Sequence, residues 1–168
     1  MGMVFELIAL PEAKYDEILA VSLVNGRASS ASDDKLLDEF YAYLESHTEL
    51  SADTDKAWDM MLACFSEGKD RYSSKGALSA SLLGQEDLGH EASIHGLNPT
   101  MVMEVSKALN AFDMKKVSET VPTLDPEDVY CVTGEDDVEY VHDSIEALRK
   151  FYTKAAASGR AVIAVLNG

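Results

Sequence analysis

The sequence is short of several things at once, and each shortage removes a class of protein. Only two cysteines, Cys64 and Cys131, occur in 168 residues, and they stand far apart. No disulfide framework is written in that spacing, so free buried thiols are expected in preference to a disulfide. No apolar run approaches the ~20 residues of a membrane-spanning helix. The opening Met1-Gly-Met-Val-Phe-Glu6 has neither the basic region nor the long apolar stretch of a secretory signal. Cytoplasmic residence is therefore expected. Basic residues are scarce: 14 lysines and arginines stand against 30 acidic residues, for a formal net charge of -16. Such a surface repels phosphate backbones and anionic lipid head groups, so neither nucleic acid nor a membrane is an expected partner.

Motifs that announce chemistry are lacking too. No glycine-rich loop precedes a Lys-Ser or Lys-Thr pair, and no Gly-x-Gly-x-x-Gly follows a strand, so no phosphate or dinucleotide cofactor is expected. A Gly-x-Ser-x-Gly elbow is absent, as is the alternating oxygen-ligand pattern of a calcium loop. His90-Glu91 with His95 suggests a zinc protease, but that chemistry requires two histidines at i and i+4 on one helix turn. These are at i and i+5, about 140° apart on a helix and on opposite faces of a strand. Surface or loop histidines are the simpler reading, and no metal site is expected. His47 and His142 stand alone beside carboxylates.

What is present is the grammar of a globular fold. The 46% apolar content suits a folded domain over residues 1–168, one that buries roughly 70% of its unfolded surface. The tail is the clearest passage. Val141, Ile145, Leu148, Tyr152 and Ala155 recur at steps of four and three, which places them on one helical stripe. Ser158-Gly159 supplies a left-handed stop, and Ala161-Val-Ile-Ala-Val-Leu166 then forms an apolar, β-branched run. A strand apolar on both faces is expected in the interior of its sheet.

Elsewhere, Met3 to Leu10 reads as an opening strand, and Pro11 starts a short helix to Leu19 or Ala20. Asn25 to Ser32 reads as a loop. A helix follows over about Asp33–Ser46, with Leu36, Leu37, Phe40, Tyr41 and Leu44 inward. Asp53 or Thr54 is placed to cap a helix whose stripe is Trp58, Met61, Leu62 and Phe65, ending at Gly68. That stripe reads as core and not as a ligand box. Leu78–Leu83 can be helical, Gly89–Gly96 a short strand, and Asn98-Pro99 the cap and start of a helix through Val102, Val105, Leu109 and Phe112. A further short helix reaches Val121, and Asp125-Pro126 marks a turn. Strands near both ends with several helices between them predict an α+β fold, helices packed around a small sheet that includes both terminal strands.

The acidic charge is densest from Asp125 to Glu146, where nine carboxylates occur without a lysine or arginine. Much of this suits a solvated loop and a helix start, since helix N-termini favour acids. As a contact surface for a basic partner, the candidate residues are Asp125, Glu127, Asp128, Glu135, Asp136, Asp137, Glu139 and Asp143.

Six passages taken together resemble a known family. They are Met1-Gly-Met-Val4; Asp55-Lys-Ala-Trp-Asp59; Leu82-Leu-Gly84; Gly96-Leu-Asn-Pro-Thr-Met-Val102; Ile145 to Ala156; and Gly159-Arg-Ala-Val-Ile163. In this order they resemble the YfbM-like bacterial proteins of unknown function, and the resemblance spans most of the chain. It implies a single α+β domain and no established activity, so it carries over no catalytic residue. Where family members often have a Gly-Pro-Ala-Arg-Tyr-like stretch, this chain has His95-Gly96-Leu97, so any role of that arginine is lost here.

Two functional readings follow. The first is a small acidic binding or interaction protein, of which an immunity protein neutralising a basic toxin is one form. The alternative is a hydrolase-type enzyme whose site is assembled from dispersed Asp, Glu, His or Ser residues.

Overall fold

A computed structural model describes residues 2–22, 30–66, 70–73, 75–89 and 92–168. Its organising element is the apolar run at the end of the chain. Strand β5 (Ala161–Asn167) pairs antiparallel with β1 (Val4–Leu10) over seven residue pairs, from Val4 opposite Asn167 to Leu10 opposite Ala161. On its other side β5 pairs antiparallel with β4 (Ile94–Leu97). Two short strands complete the sheet: β2 (Ser51–Asp53) beside β1, and β3 (Glu86–Asp87) beside β4. The order is β2-β1-β5-β4-β3, so β5 is interior, as its two apolar faces predict.

Alternation along β1 and β5 gives each face of the sheet its own core. Phe5, Leu7, Ala9, Val162 and Ala164 face one way; Ile8, Leu10, Ala161, Ile163 and Val165 face the other. The second face is covered by α1 (Glu12–Ser22) and α2 (Ser30–Ser46) through Tyr15, Ile18, Leu36 and Phe40. The first face carries α3 (Trp58–Ser66), α4 (Ala77–Leu83), α5 (Pro99–Ala111), α6 (Lys115–Thr120) and α7 (Asp137–Ala157). The architecture is the expected α+β. Burying Val162, Ile163 and Val165 contributes on the order of 6 kcal/mol before conformational entropy is counted.

Most of the expected elements are present with adjusted ends. The α7 stripe of Val141, Ile145, Leu148, Tyr152 and Ala155 is buried, and Tyr152 donates from its hydroxyl to the Ser81 carbonyl at 2.7 Å. Asn98 caps α5 by accepting from the Met101 amide at 3.0 Å. Three expectations are corrected. Residues 30–32 of the anticipated loop belong to α2, while the loop's first part lies outside the described residues. Thr54 does not cap α3. Its hydroxyl accepts from the Phe5 amide instead, and a turn over residues 55–57 separates it from the helix. The strand expected over Gly89–Gly96 is confined to Ile94–Leu97, with Gly96 in its interior. A Cβ at Gly96 would strike the Tyr15 ring, whose hydroxyl passes over the strand to donate to Glu86.

The stop after α7 is a Schellman turn. Gly159 (φ +60°) donates to Ala156 and Arg160 donates to Ala155, each through its backbone amide. Nothing lies within 4 Å of a Cβ built on Gly159, so only backbone conformation resists substitution there. Gly159→Ala is therefore expected to lower unfolding stability by about 1 kcal/mol with the fold intact, as measured by urea denaturation.

Candidate functional site

The acidic segment is held against the body of the protein by a buried charge pair. Asp59, in the first turn of α3, is 1% exposed. Its carboxylate accepts from Arg71 Nε (2.6 Å) and Nη2 (3.3 Å), from the Tyr72 hydroxyl (2.8 Å) and from the Tyr130 amide (2.8 Å). Arg71 continues outward, donating through Nη1 to the Asp128 carboxylate at 3.0 Å and through Nη2 to the Asp128 carbonyl. Hydrogen bonding to Asp59 raises the Arg71 pKa against the cost of burial, so the guanidinium stays charged. Four donors on one carboxylate satisfy what burial would otherwise leave unpaired.

A second clamp involves the first residues of the chain. The Met3 amide donates to the Tyr130 hydroxyl at 2.9 Å, and the Met3 carbonyl accepts from the Trp58 indole at 3.0 Å. The Trp58 and Tyr130 rings stack at 5.8 Å, while Phe5 meets Trp58 edge-on at 5.6 Å. Met3 and the adjacent pair Trp58-Asp59, far apart in the chain, thus converge on one tyrosine.

Beyond Tyr130 the chain enters the start of α7 through a third anchor. Asp137 is buried and accepts from the Thr133 amide, the Thr133 hydroxyl and the Gly134 amide at 2.7–2.8 Å. Burial alone would raise its pKa. The Gly134 amide and the Thr133 hydroxyl and amide outweigh that and set it below the ordinary carboxylate value.

Between these anchors lies an open cleft of about 490 Å³, lined by Lys56, Cys131, Thr133, Glu135, Asp136, Asp137 and Tyr140. The Lys56 amide donates to the Tyr140 hydroxyl at 2.9 Å. Burial, with the neighbouring Asp55 carboxylate, pushes that phenol up to about 12. Among the described residues, the non-glycine positions with positive φ are Asp55 (44°), Cys131 (60°) and Asp136 (66°), all in or beside this cleft. Such conformations cost of order 1 kcal/mol each, and the surrounding hydrogen bonds sustain them.

The eight candidate acids therefore have different surroundings. Asp125, Glu127, Glu135, Asp136, Glu139 and Asp143 are exposed. Asp128 is exposed but held by Arg71, and Asp137 is turned inward. Glu135, Asp136 and Asp137 share the cleft, while Glu139 and Asp143 lie one turn apart on the outer side of α7. Asp59, Arg71, Tyr130, Tyr140 and Lys56 were not among the sequence candidates. One signal for them existed: Asp59 lies on α3, which is buried nearly all round, a phase at which a lone acid needs a partner.

Among the described residues, those of the enzymatic alternative are dispersed. His90 and Glu91 lie outside the described residues. His95 is half-buried on β4, opposite Asp87 and Ala164, and burial lowers its pKa against the raising effect of Asp87. His47 stacks on Tyr43 at 4.0 Å, and His142 is exposed beside Asp143. Among the described residues, no group of three or more His, Cys, Asp or Glu side chains could hold a metal ion. Both cysteines are free. Cys64 is buried as expected, its thiol pushed up to about 12 by burial, whereas Cys131, also expected to be buried, is partly exposed. No described helix is long and apolar enough to cross a membrane.

Comparison with known proteins gives the fold a context. The family model described as "Domain of unknown function (DUF1877)" matches residues 1–165. Among solved structures, the chain is similar to YfbM from Escherichia coli, described as a protein of unknown function. The TM-score is 0.68 at 14% identity, with 98% of this chain and 99% of that chain covered. That likeness extends to the fold alone. No curated protein gives a significant match.

Two outcomes test the anchors. Asp59→Asn is expected to lower stability by about 3 kcal/mol, because Arg71 loses its buried partner. Adding Arg71→Met is expected to cost little more, as judged by urea unfolding of both variants. Asp137→Asn should lose about 1–2 kcal/mol at neutral pH. The depressed pKa of Asp137 means its contribution is complete above the unfolded value of about 4 and is lost as pH falls through the folded value. Acid titration of stability should accordingly be flatter in the variant than in the wild type.

Proposed function

The chain belongs to the DUF1877 family, domains of unknown function, and from that premise we propose that it is a small acidic interaction protein that receives a basic partner on the Asp125–Asp143 segment. The observation that carries this reading is the combination of exposed charge and fixed backbone. Six exposed carboxylates, at Asp125, Glu127, Glu135, Asp136, Glu139 and Asp143, sit on a stretch that contains no lysine or arginine. That stretch is tied down through Asp128 and Tyr130 at one end and Asp137 at the other. A surface whose charges are already in place loses less entropy on binding than a floppy acidic tail.

Electrostatics then assigns the kind of partner and the kinetic signature. A net charge of -16 attracts cationic proteins from a distance and speeds their encounter, while the local carboxylates set orientation. A basic toxin is one partner with the required chemistry, and masking it would make this chain an immunity protein. The two unpaired cysteines suit the cytoplasm as the place of meeting. Lys56 is an exposed cation in the cleft and gives it a charge pattern that a plain acidic tail lacks.

Affinity capture from the native host at low and high salt tests this directly. The expected result is a basic protein retained at low salt and released at high salt. A variant carrying Glu135→Lys, Glu139→Lys and Asp143→Lys should fold normally and associate more than ~10-fold more slowly, with dissociation changed less. Recovery of no partner, of acidic partners alone, or of a partner indifferent to the three substitutions would sink the reading.

A further inference from the structure

The sheet keeps two cores apart, and they are unequal. On one face, α3, α4, α5, α6 and α7 merge into a continuous buried cluster that includes Trp58, Leu109, Ile145 and Tyr152. On the other, the described residues of α1 and α2 bury Tyr15, Ile18, Leu36 and Phe40 against the strands. These two helices follow each other in the chain and are joined by Lys14, whose ammonium meets Glu39 at 2.8 Å. Neither adds a strand, so the ladder of β2, β1, β5 and β4 is complete without them.

Besides apolar contact, side-chain hydrogen bonds tie this layer down. The Tyr15 hydroxyl donates to Glu86 on β3, and the Tyr41 hydroxyl donates to Glu6 on β1 at 3.0 Å. Asp33 accepts from the Ala92 amide at 2.9 Å. The two phenols thus grip carboxylates on opposite sides of β5. The layer also meets the rest of the chain at single residues: Pro11 separates β1 from α1, and His47 separates α2 from the short turn that leads into β2.

We propose that α1 and α2 form a cover that opens as one unit, hinged at Pro11 and His47, while the rest of the fold stays intact, with the Tyr15–Glu86 and Tyr41–Glu6 hydrogen bonds as its latches. Opening breaks no strand pairing, only side-chain burial and these polar ties, so it takes less free energy than global unfolding. It exposes Ile8, Leu10, Ile163 and Val165 on one face of the sheet, which keeps the open state a minor one. Once detached, helices of 11 and 17 residues are near the length at which isolated helices are marginal in water, so both lose their backbone protection together. The acidic segment is anchored through Trp58, Asp59 and Asp137 on α3 and α7, across the sheet, and is undisturbed by the opening. The fold thereby carries a hidden apolar surface that is reached without dismantling the acidic one.

Native-state hydrogen exchange of the full chain, in urea below its unfolding transition, is the test. The α1 and α2 amides should exchange together and at least ~10-fold faster than the slowest amides of α7 and β5. Variants on the two faces separate a cover from uniform unfolding. Tyr15→Phe and Tyr41→Phe each remove a contact absent from both the open and the unfolded states. Each should therefore speed α1 and α2 exchange by roughly 5–10-fold, and globally exchanging amides by the same factor. Ile145→Val instead trims a fully buried contact on the other face, one that survives the opening. It should speed the slowest α7 amides about 5-fold and leave α1 and α2 unchanged. Equal exchange of α1, α2 and α7 in the wild type overturns the proposal, as does a common acceleration of all three by Ile145→Val. Tyrosine variants that leave α1 and α2 exchange unchanged overturn it too.

Discussion

Everything in this fold follows from one strand that has no face to show to water. Strand β5 is buried on both sides along Ala161–Val165, so it has to lie inside the sheet and the sheet has to be covered twice. Pairing with β1 satisfies one edge and brings the two ends of the chain together. Pairing with β4 satisfies the other. Helices then divide by necessity: α1 and α2 close the face that presents Ile8, Ile163 and Val165, and the later helices close the face that presents Phe5, Leu7 and Val162. An unfilled face would leave several large apolar side chains in water at roughly 1.5–3 kcal/mol each.

On that frame the irregular stretch before α7 presents a different problem. It has little regular backbone pairing of its own, so its amides and carboxylates need partners from the body of the protein. Asp59 and Arg71 fix the Asp128–Tyr130 corner, Trp58 and Met3 hold the Tyr130 ring and hydroxyl, and Asp137 gathers the Thr133 and Gly134 amides. Acidic residues therefore fall into two groups within one stretch. Some are structural ligands for buried donors; the rest are presented to solvent. Charge density along the sequence does not separate the two, because both are written with Asp and Glu.

Much of the fold was legible because it rests on local rules. The α7 stripe, the Ser158-Gly159 stop, the Asn98-Pro99 start and the opening strand each depend on residues within a turn or two of one another. The α3 stripe was legible as core for the same reason. Strands β2 and β3 were not, because two or three residues carry no usable period and exist only by pairing with β1 and β4. The site was harder still. Thr54 has the chemistry of a helix cap, but its hydroxyl accepts from Phe5, a strand residue 49 positions away. No window on the sequence contains that choice.

By itself the sequence determined the class of fold, the interior position of the last strand, the two unpaired thiols and the sign of the surface potential. These depend on composition and short-range periodicity. Tertiary structure alone decided which carboxylates are buried, and that Lys56 and Tyr140 share a cleft with Glu135 and Asp136. The physical reason is that the cost of a charge depends on what surrounds it. Those surroundings are assembled from segments that meet only when β1 and β5 bring the chain's ends together.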